Sequence, residues 1–434
     1  MNTNLPGPKA RALLERDAQV VSPVCARPYP FVMEKGRGAE VWDVDGNRFI
    51  DLVAGIAVTA TGHAHPKVVA AIKAAADNFL HISCDFYHEL QIALAERLNE
   101  LAPFAEPAMT FFTNSGTEAI EGAIKLARVT SGRPRFIGFY GGFHGRSMGS
   151  LAFTASKYVQ QQGVYSPMPG VTHVPYPNSY RPLFRGEDQG LAVLDYLENV
   201  VLASNVPPDE VAAILVEPIQ GEGGYLVPPD SFFPGLRRLC DQHGILLIVD
   251  EIQSGIGRSG KMFTIEHYGV EPDIVCMAKG LASGMPMGAI TARRSLMAGW
   301  PYNAHGSTFG GNPLCCAAAL ATLDLVEQEY QANAAKMGHY LLENLRSLQQ
   351  KYPLIGQVRG KGLMIGIDLV IDPVSKKPAK ALAGQIVERA FHNGLLTLTA
   401  GQSVVRLAPP LMIDPATIEE AMVALDQTFS EVVT

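Results

Sequence analysis

An excess of positive charge is the first thing this sequence lacks. Its 35 lysines and arginines stand against 42 aspartates and glutamates, a formal net charge of −7, and no basic stripe runs along any segment. That balance argues against nucleic acid or an anionic membrane surface as a partner. Long apolar runs are missing too, since none approaches the roughly 20 consecutive apolar residues that cross a bilayer. The opening stretch from Met1 to Lys9 holds no apolar core of the kind a secretory leader needs. Cysteine is sparse. The six of them, Cys25, Cys84, Cys240, Cys276, Cys315 and Cys316, fit neither a disulfide framework nor CxxC metal spacing. Several sit in apolar runs, where cysteine acts as a small hydrophobe, and a reducing cytoplasm is the expected location. Repeats and low-complexity tracts are absent, and the 42 glycines and 30 prolines are scattered as loop punctuation.

What remains is an ordinary globular composition, 47% hydrophobic and 18% charged over 434 residues. It is enough for a sizeable core and two or three domains. Two charged residues stand out against it. Asp250 closes the apolar run Ile245-Leu246-Leu247-Ile248-Val249, and Lys279 follows Ile274-Val275-Cys276-Met277-Ala278. Each ends a segment that reads as a buried strand, and burying such a charge alone is costly unless it is paired or used. An aspartate and a lysine at the ends of neighbouring strands of an α/β protein suit one job. The lysine forms a Schiff base with pyridoxal phosphate, and the aspartate keeps the pyridinium nitrogen protonated.

From about Phe111 to Arg293, short β-rich runs alternate with helical stretches. Strands are expected over Met109–Thr113, Phe136–Tyr140, Ala212–Glu217, Ile245–Asp250, Ile274–Ala278 and Ala289–Ala292, with helices over Gly116–Arg128 and Phe232–His243. That alternation predicts an α/β fold with a mostly parallel sheet covered on both faces. Ligands in such sheets bind beyond the carboxyl ends of the strands, where Asp250 and Lys279 fall. Long helices are expected over Pro313–Glu329 and Asn333–Tyr352. From Gly356 the pattern changes to short strands, Leu363–Leu369 and Val404–Leu407, with flanking helices. The expected organisation is an N-terminal arm over 1–54, a large domain over 55–330 and a smaller α+β domain over 331–434. In the arm, two β-rich runs flank Asp45-Gly46, a hairpin signal.

Loops after the expected strands carry the remaining polar chemistry. Thr113-Asn114-Ser115-Gly116-Thr117-Glu118 joins a strand to a helix and offers an anion site, or simply an N-cap. In Phe139-Tyr140-Gly141-Gly142-Phe143-His144-Gly145-Arg146-Ser147, Phe143 could stack on a flat ring and Arg146 could clamp a carboxylate. The plain alternatives are core packing and a surface ion pair. Glu222, in Pro218-Ile219-Gln220-Gly221-Glu222-Gly223-Gly224, reads as an active-site carboxylate or a solvated one. Gln253, three residues past Asp250, could meet a ring oxygen or be ordinary loop polarity. Gly255-Ile256-Gly257-Arg258-Ser259-Gly260 matches GxGxxG, but it starts five residues past its strand and no helix follows, so a dinucleotide site is rejected. His63 and His65 show no carboxylate or thiolate partner in the sequence and read as a turn rather than a metal site.

Together these pieces resemble the class III (subgroup III) pyridoxal-phosphate-dependent aminotransferases of fold type I. The resemblance runs from Gly55-Ile56-Ala57-Val58 to Arg406-Leu407-Ala408-Pro409-Pro410-Leu411. Ile248-Val249-Asp250-Glu251-Ile252-Gln253-Ser254-Gly255-Ile256-Gly257-Arg258 is similar to the family signature, with Lys279 at the matching distance. The resemblance implies pyridoxal 5'-phosphate as cofactor, bound covalently by Lys279. It implies Asp250 on the pyridine nitrogen, Gln253 on the ring hydroxyl oxygen, Ile252 behind the ring and Phe143 in front, with Ser115, Gly116 and Thr117 around the phosphate. Thr308 resembles the threonine that reaches the phosphate in the other subunit, which implies a homodimer with shared sites; a tetramer stays open.

Within the family, Ser115-Gly116-Thr117-Glu118-Ala119, Gln220-Gly221-Glu222-Gly223-Gly224 and Val405-Arg406-Leu407 are similar to the 4-aminobutyrate and ornithine aminotransferases. That implies transfer of a terminal amino group from an ω-amino donor to a 2-oxo acid, 2-oxoglutarate. Arg406 would bind the α-carboxylate, Glu222 would neutralise Arg406 for the ω-amine, Arg146 would hold the remote carboxylate and Ile56 would line the pocket. Acetylornithine aminotransferases share much of this pattern. Thr154-Ala155-Ser156-Lys157 and Pro167-Met168-Pro169-Gly170-Val171 resemble a branch that also includes amino-acid racemases. Two rivals therefore stand beside the transaminase: a racemase on the same scaffold, and a non-catalytic protein of this fold, against which the retained Lys279 argues.

Overall fold

The computed structural model describes residues 2–164 and 167–433. Met1 and Thr434, the outermost residues of the expected arm and small domain, lie outside the described residues. The strands are β1 (Met33–Arg37), β2 (Glu40–Asp43) and β3 (Arg48–Asp51) near the N-terminus. Then come β4 (Ala108–Thr113), β5 (Arg135–Phe139), β6 (Val171–Val174), β7 (Val211–Val216), β8 (Leu246–Asp250), β9 (Ile274–Met277) and β10 (Gly288–Arg293). The C-terminal third adds β11 (Ile355–Lys361), β12 (Met364–Leu369), β13 (Leu395–Leu396), β14 (Leu398–Ala400) and β15 (Val404–Leu407).

The central sheet has seven strands in the order β4-β10-β9-β8-β7-β5-β6. β10 is antiparallel to both its neighbours, and the other pairings are parallel. β7 (Val-Ala-Ala-Ile-Leu-Val) is buried at every position, as a strand covered on both faces must be. Because side chains alternate across a strand, its residues divide between two cores. Ile214 and Val216 join the larger cluster, while Ala213 and Leu215 join the one beneath helix Gly116–Ser131. Fully burying such a residue contributes on the order of 2 kcal/mol, so the sheet is held from both sides.

All six expected strands are present, with ends shifted by a residue or so, and helix Phe232–His243 has the expected bounds. β6, between β5 and solvent, is an addition. It is short and follows Pro167-Met168-Pro169-Gly170, which masks its β character. The expected break between two long helices does not occur. Pro313–Leu325, a π-helical turn at Val326–Tyr330 and Gln331–Lys351 run on continuously. No glycine or proline interrupts Val326–Asn333, so the backbone absorbs the mismatch as a π-turn instead of a loop.

Two four-stranded sheets complete the fold among the described residues. β11-β12-β15-β14 is antiparallel. β1-β2-β3 forms the meander whose second hairpin turns through Asp45-Gly46, and β13 adds to it in parallel, pairing Leu395 with Ile50. The N-terminal segment is thus tied to the C-terminal one by a non-local strand pair. Among the described residues no helix is long and apolar enough to cross a membrane.

Candidate active site

β4, β5, β7, β8 and β9 point their carboxyl ends to one edge of the central sheet, and the loops leaving that edge enclose a cleft of about 440 Å3. The cleft is lined by Ser115, Gly116 and Thr117 after β4, by Phe143, His144 and Arg146 after β5, and by Glu217 after β7. Asp250, Ile252 and Gln253 line it after β8, and Lys279 after β9. The parallel register that sets Asp250 opposite Cys276 is what brings Asp250 and Lys279 together.

Asp250 is 4% exposed. Its Oδ2 lies 2.8 Å from His144 Nδ1, and its Oδ1 accepts the Ile252 N–H at 3.0 Å. Burial pulls the His144 pKa down, but the bond to Asp250 outweighs it and leaves the imidazole more basic than usual. Lys279 has φ +45°, a left-handed conformation that costs a non-glycine residue roughly 1–3 kcal/mol and collects at functional sites. Burial depresses its pKa, Asp250 opposes that shift and Arg406 adds to it.

The helix Gly116–Ser131 starts at the cleft with Ser115 as N-cap, its Oγ accepting from Glu118 N at 3.4 Å. Glu118 in turn accepts from Asn114 N and Nδ2, both at 2.9 Å, which braces the turn. A side chain at Gly116 would strike Ile252 Cγ2 at 2.9 Å, and one at Gly145 would meet Thr117 Oγ1 at 2.3 Å. The amide-lined cradle therefore depends on both glycines. A helix N-terminus of free N–H groups suits a phosphate. With Asp250 for a cationic ring nitrogen, the Phe143 ring and the aliphatic Ile252 as apolar walls, and Lys279 as amine, the residues fit pyridoxal phosphate.

The second half of the site is an ion-pair cluster. Arg406, on β15 and 6% exposed, sits with Nη1 3.0 Å from Glu222 Oε2, while its Nε is buried without a hydrogen-bond partner among the described residues. Lys157 donates to the other oxygen, Oε1. Burial raises the Glu222 pKa, but Arg406 and Lys157 overcome it and hold the carboxyl below its ordinary range. The glycine loop that carries Glu222 is pinned by Arg359, which donates to the carbonyls of Gly224 at 2.7 Å and Tyr225 at 3.1 Å. Tyr225 in turn donates its hydroxyl to Gln253 Oε1 at 2.9 Å.

Most of the expected site residues converge here. Arg146 lies at the exposed mouth, its guanidinium 5.9 Å from the Phe143 ring. Thr308 is exposed and outside the cleft of its own chain. Ile56 does not line the cleft either. It is 42% exposed and sits in a left-handed turn, Ala54–Ala57, with φ of 48°, 62°, 67° and 59°. Asp51 Oδ1 holds that turn by accepting the Val53 and Ala54 amides, each at 2.9 Å, and Val58 reaches the cleft in place of Ile56. His63 does find a carboxylate, hydrogen-bonding Asp51 through Nε2 at 2.7 Å, a contact invisible in the sequence. No cluster able to hold a metal occurs among the described residues.

Sequence reasoning gave no role to His144, Glu217, Lys157 or Tyr225. Glu217 carried a signal, because it ends the apolar run of β7 just as Asp250 ends that of β8. The other three are recognisable only through their partners.

The Aminotransferase class-III family matches residues 21–429. The acetylornithine aminotransferase of Methanopyrus kandleri is 42% identical over 92% of this chain and 94% of its own length. The alanine/serine racemase of Pyrococcus horikoshii is 38% identical over 99% of this chain and 92% of its own. A solved amine transaminase from an uncultivated Pseudomonas species, in its PLP-bound form, superposes with a TM-score of 0.89 at 34% identity, covering 95% of this chain and 98% of the other.

Proposed function

The chain belongs to the class III aminotransferases, pyridoxal-phosphate enzymes of fold type I, and from that premise we propose that it moves the terminal amino group of an ω-amino acid to 2-oxoglutarate. The donor would be 4-aminobutyrate, ornithine or a similar compound, and the products glutamate and a semialdehyde. The Glu222–Arg406 pair carries this reading. A buried arginine without a counter-ion is costly, and with Glu222 closed on it the pocket accepts a reacting end that bears only an amine. When glutamate or 2-oxoglutarate enters, its α-carboxylate takes Arg406. Glu222 keeps a cationic partner, because Lys157 already holds Oε1. Arg146, at the mouth, receives the remote carboxylate.

When bound, pyridoxal phosphate supplies a protonated ring that draws off the electron pair left as the substrate's C–H bond breaks. The residues of this chain aim that chemistry. Ser115, Gly116 and Thr117 would bind the phosphate, Asp250 would hold the proton on the ring nitrogen, and Phe143 and Ile252 would wall the ring. Gln253 meets the ring hydroxyl. Lys279 would hold the cofactor covalently, and its Nζ, when free, would move the proton taken from the amine-bearing carbon. Burial lowers its basicity, which favours the free amine over the ammonium. Donor product leaves before the acceptor binds, so the kinetics are ping-pong. Thr308, exposed in one chain, completes the phosphate site of a second copy in a homodimer.

A racemase is the second reading, motivated by the 38% identical alanine/serine racemase. The test is a panel of ω-amino and α-amino acids, each with and without 2-oxoglutarate. Glutamate formation that requires both an ω-amine and 2-oxoglutarate is the expected result. Inversion of an α-amino acid without any oxo acid, and no transfer from ω-amines, would replace this reading with the racemase.

A further inference from the structure

Glu217 has no task in amino transfer as set out above, yet it stands in the wall of the cleft, 6% exposed. Its two oxygens face two different loops. Oε1 accepts the Phe143 N–H at 3.0 Å, and Oε2 accepts the Gly221 N–H at 2.8 Å. The first amide belongs to the loop after β5 that presents Phe143, His144 and Arg146. The second belongs to the glycine loop that presents Glu222. The backbone of Glu217 is anchored as well, since its carbonyl accepts the Tyr176 hydroxyl at 3.0 Å.

Two N–H donors pointing at one side chain require a group that only accepts. An ionised carboxylate is such a group. An amide turns its NH2 donor toward one of the two N–H groups and leaves it unsatisfied, and a protonated acid keeps only a weak hydroxyl acceptor on one side. We propose that Glu217 is a positioning residue whose carboxylate straps the Phe143 loop to the Glu222 loop, fixing the cofactor wall and the Arg406 partner in one register. The inference rests on the aminotransferase reading for what the two loops do, but the strap itself is a property of the protein alone.

The strap has a pH sense. The groups facing Glu217 are His144 on the β5 loop, Asp250 at the end of β8, Lys279 after β9 and Tyr176. Burial raises the Glu217 pKa to about 7 and Asp250 adds to the rise, against the pull of His144 and the two amides. The doubly accepting form is therefore gained as pH climbs through about 7 and lost below it.

Hydrogen exchange read by mass spectrometry on peptides spanning 141–146 and 219–224, with and without pyridoxal phosphate, tests the strap directly. After correction for intrinsic rates, both peptides of the wild type should gain protection together between pH 6 and pH 8. At pH 8 the Glu217→Gln protein should exchange at least ten-fold faster in at least one of them. In the loaded enzyme the acidic limb of kcat/KM near pH 7 should vanish in Glu217→Gln. Wild-type peptides equally protected at both pH values, or a glutamine variant indistinguishable from wild type in exchange, would overturn the proposal. If Glu217→Gln fails to fold, the wild-type pH comparison decides alone. Failure of the aminotransferase reading would show separately, as a wild type that transfers no amine while its exchange pattern stands.

Discussion

His144 Nδ1 and Asp250 Oδ2 stand 2.8 Å apart, and both side chains are buried. An acceptor-only carboxylate fixes the imidazole with its Nδ1–H toward Asp250. The imidazole in turn fixes which way the carboxylate faces the cleft. We expect His144→Phe to leave Asp250 as a buried charge short of a partner. Breaking a buried pair this way costs on the order of 3 kcal/mol, readable as a lower urea midpoint, and turnover should fall at least ten-fold. Unchanged stability and turnover would remove His144 from the site.

Asp250→Asn tests the carboxylate itself. A neutral amide cannot stabilise a protonated ring nitrogen, so turnover should drop by two or more orders of magnitude, which is about 3 kcal/mol or more of barrier. The circular dichroism spectrum should stay that of the wild type. Near-normal turnover would reduce Asp250 to a structural role.

For Lys279→Ala, mass spectrometry after borohydride reduction should find no cofactor covalently retained, while the wild type carries one per chain. Steady-state transfer should be lost. Full activity in this variant would sink the whole reading of the cleft.

Glu222→Ala leaves Arg406 buried with one carboxylate fewer. The ω-amine half-reaction should slow by at least ten-fold, with the glutamate half-reaction changed less, as measured by single-turnover absorbance of each. Equal losses would mean that Glu222 is no switch.

Glu251 supplies a pH test outside the cleft chemistry. It is 1% exposed, accepts from Ser254 Oγ and Ile265 N, and burial raises its pKa from 4.5 to about 7. The folded state binds this proton more tightly than the unfolded state, so stability from this group is full below about pH 4.5 and falls as pH rises to about 7. Unfolding wild type and Glu251→Gln in urea at pH 5 and pH 8 should show the wild type's advantage shrinking by about 3 kcal/mol at the higher pH. A gap independent of pH would contradict the shift.

Much of the fold is local in origin. Apolar runs such as Val211–Val216 and Ile245–Val249 are short and alternate with helical stretches, which suits strands buried on two faces. Gly244, in a left-handed conformation, ends the helix at His243 as expected, whereas the helix from Gly116 runs three residues past the expected Arg128 to its left-handed cap Gly132. Asp250 and Lys279 were legible for the same reason, because a charge closing a buried run must be paired or used. Chain-distant partners were not legible. The pairing of β13 with β3 joins residues more than 300 positions apart, and no periodicity encodes it. Lys157 beside Glu222 and His144 against Asp250 are likewise choices of the assembled loops. Ile56 shows the limit in the other direction: the right neighbourhood was readable, but a left-handed turn held by Asp51 sends its side chain outward and Val58 inward. The sequence by itself determined which segments become strands and which charges must be accounted for, since burial and periodicity act within a few residues. Only the tertiary structure decided which charges meet, because hydrogen bonds and ion pairs require an approach of about 3 Å that the packing of the sheets alone can set.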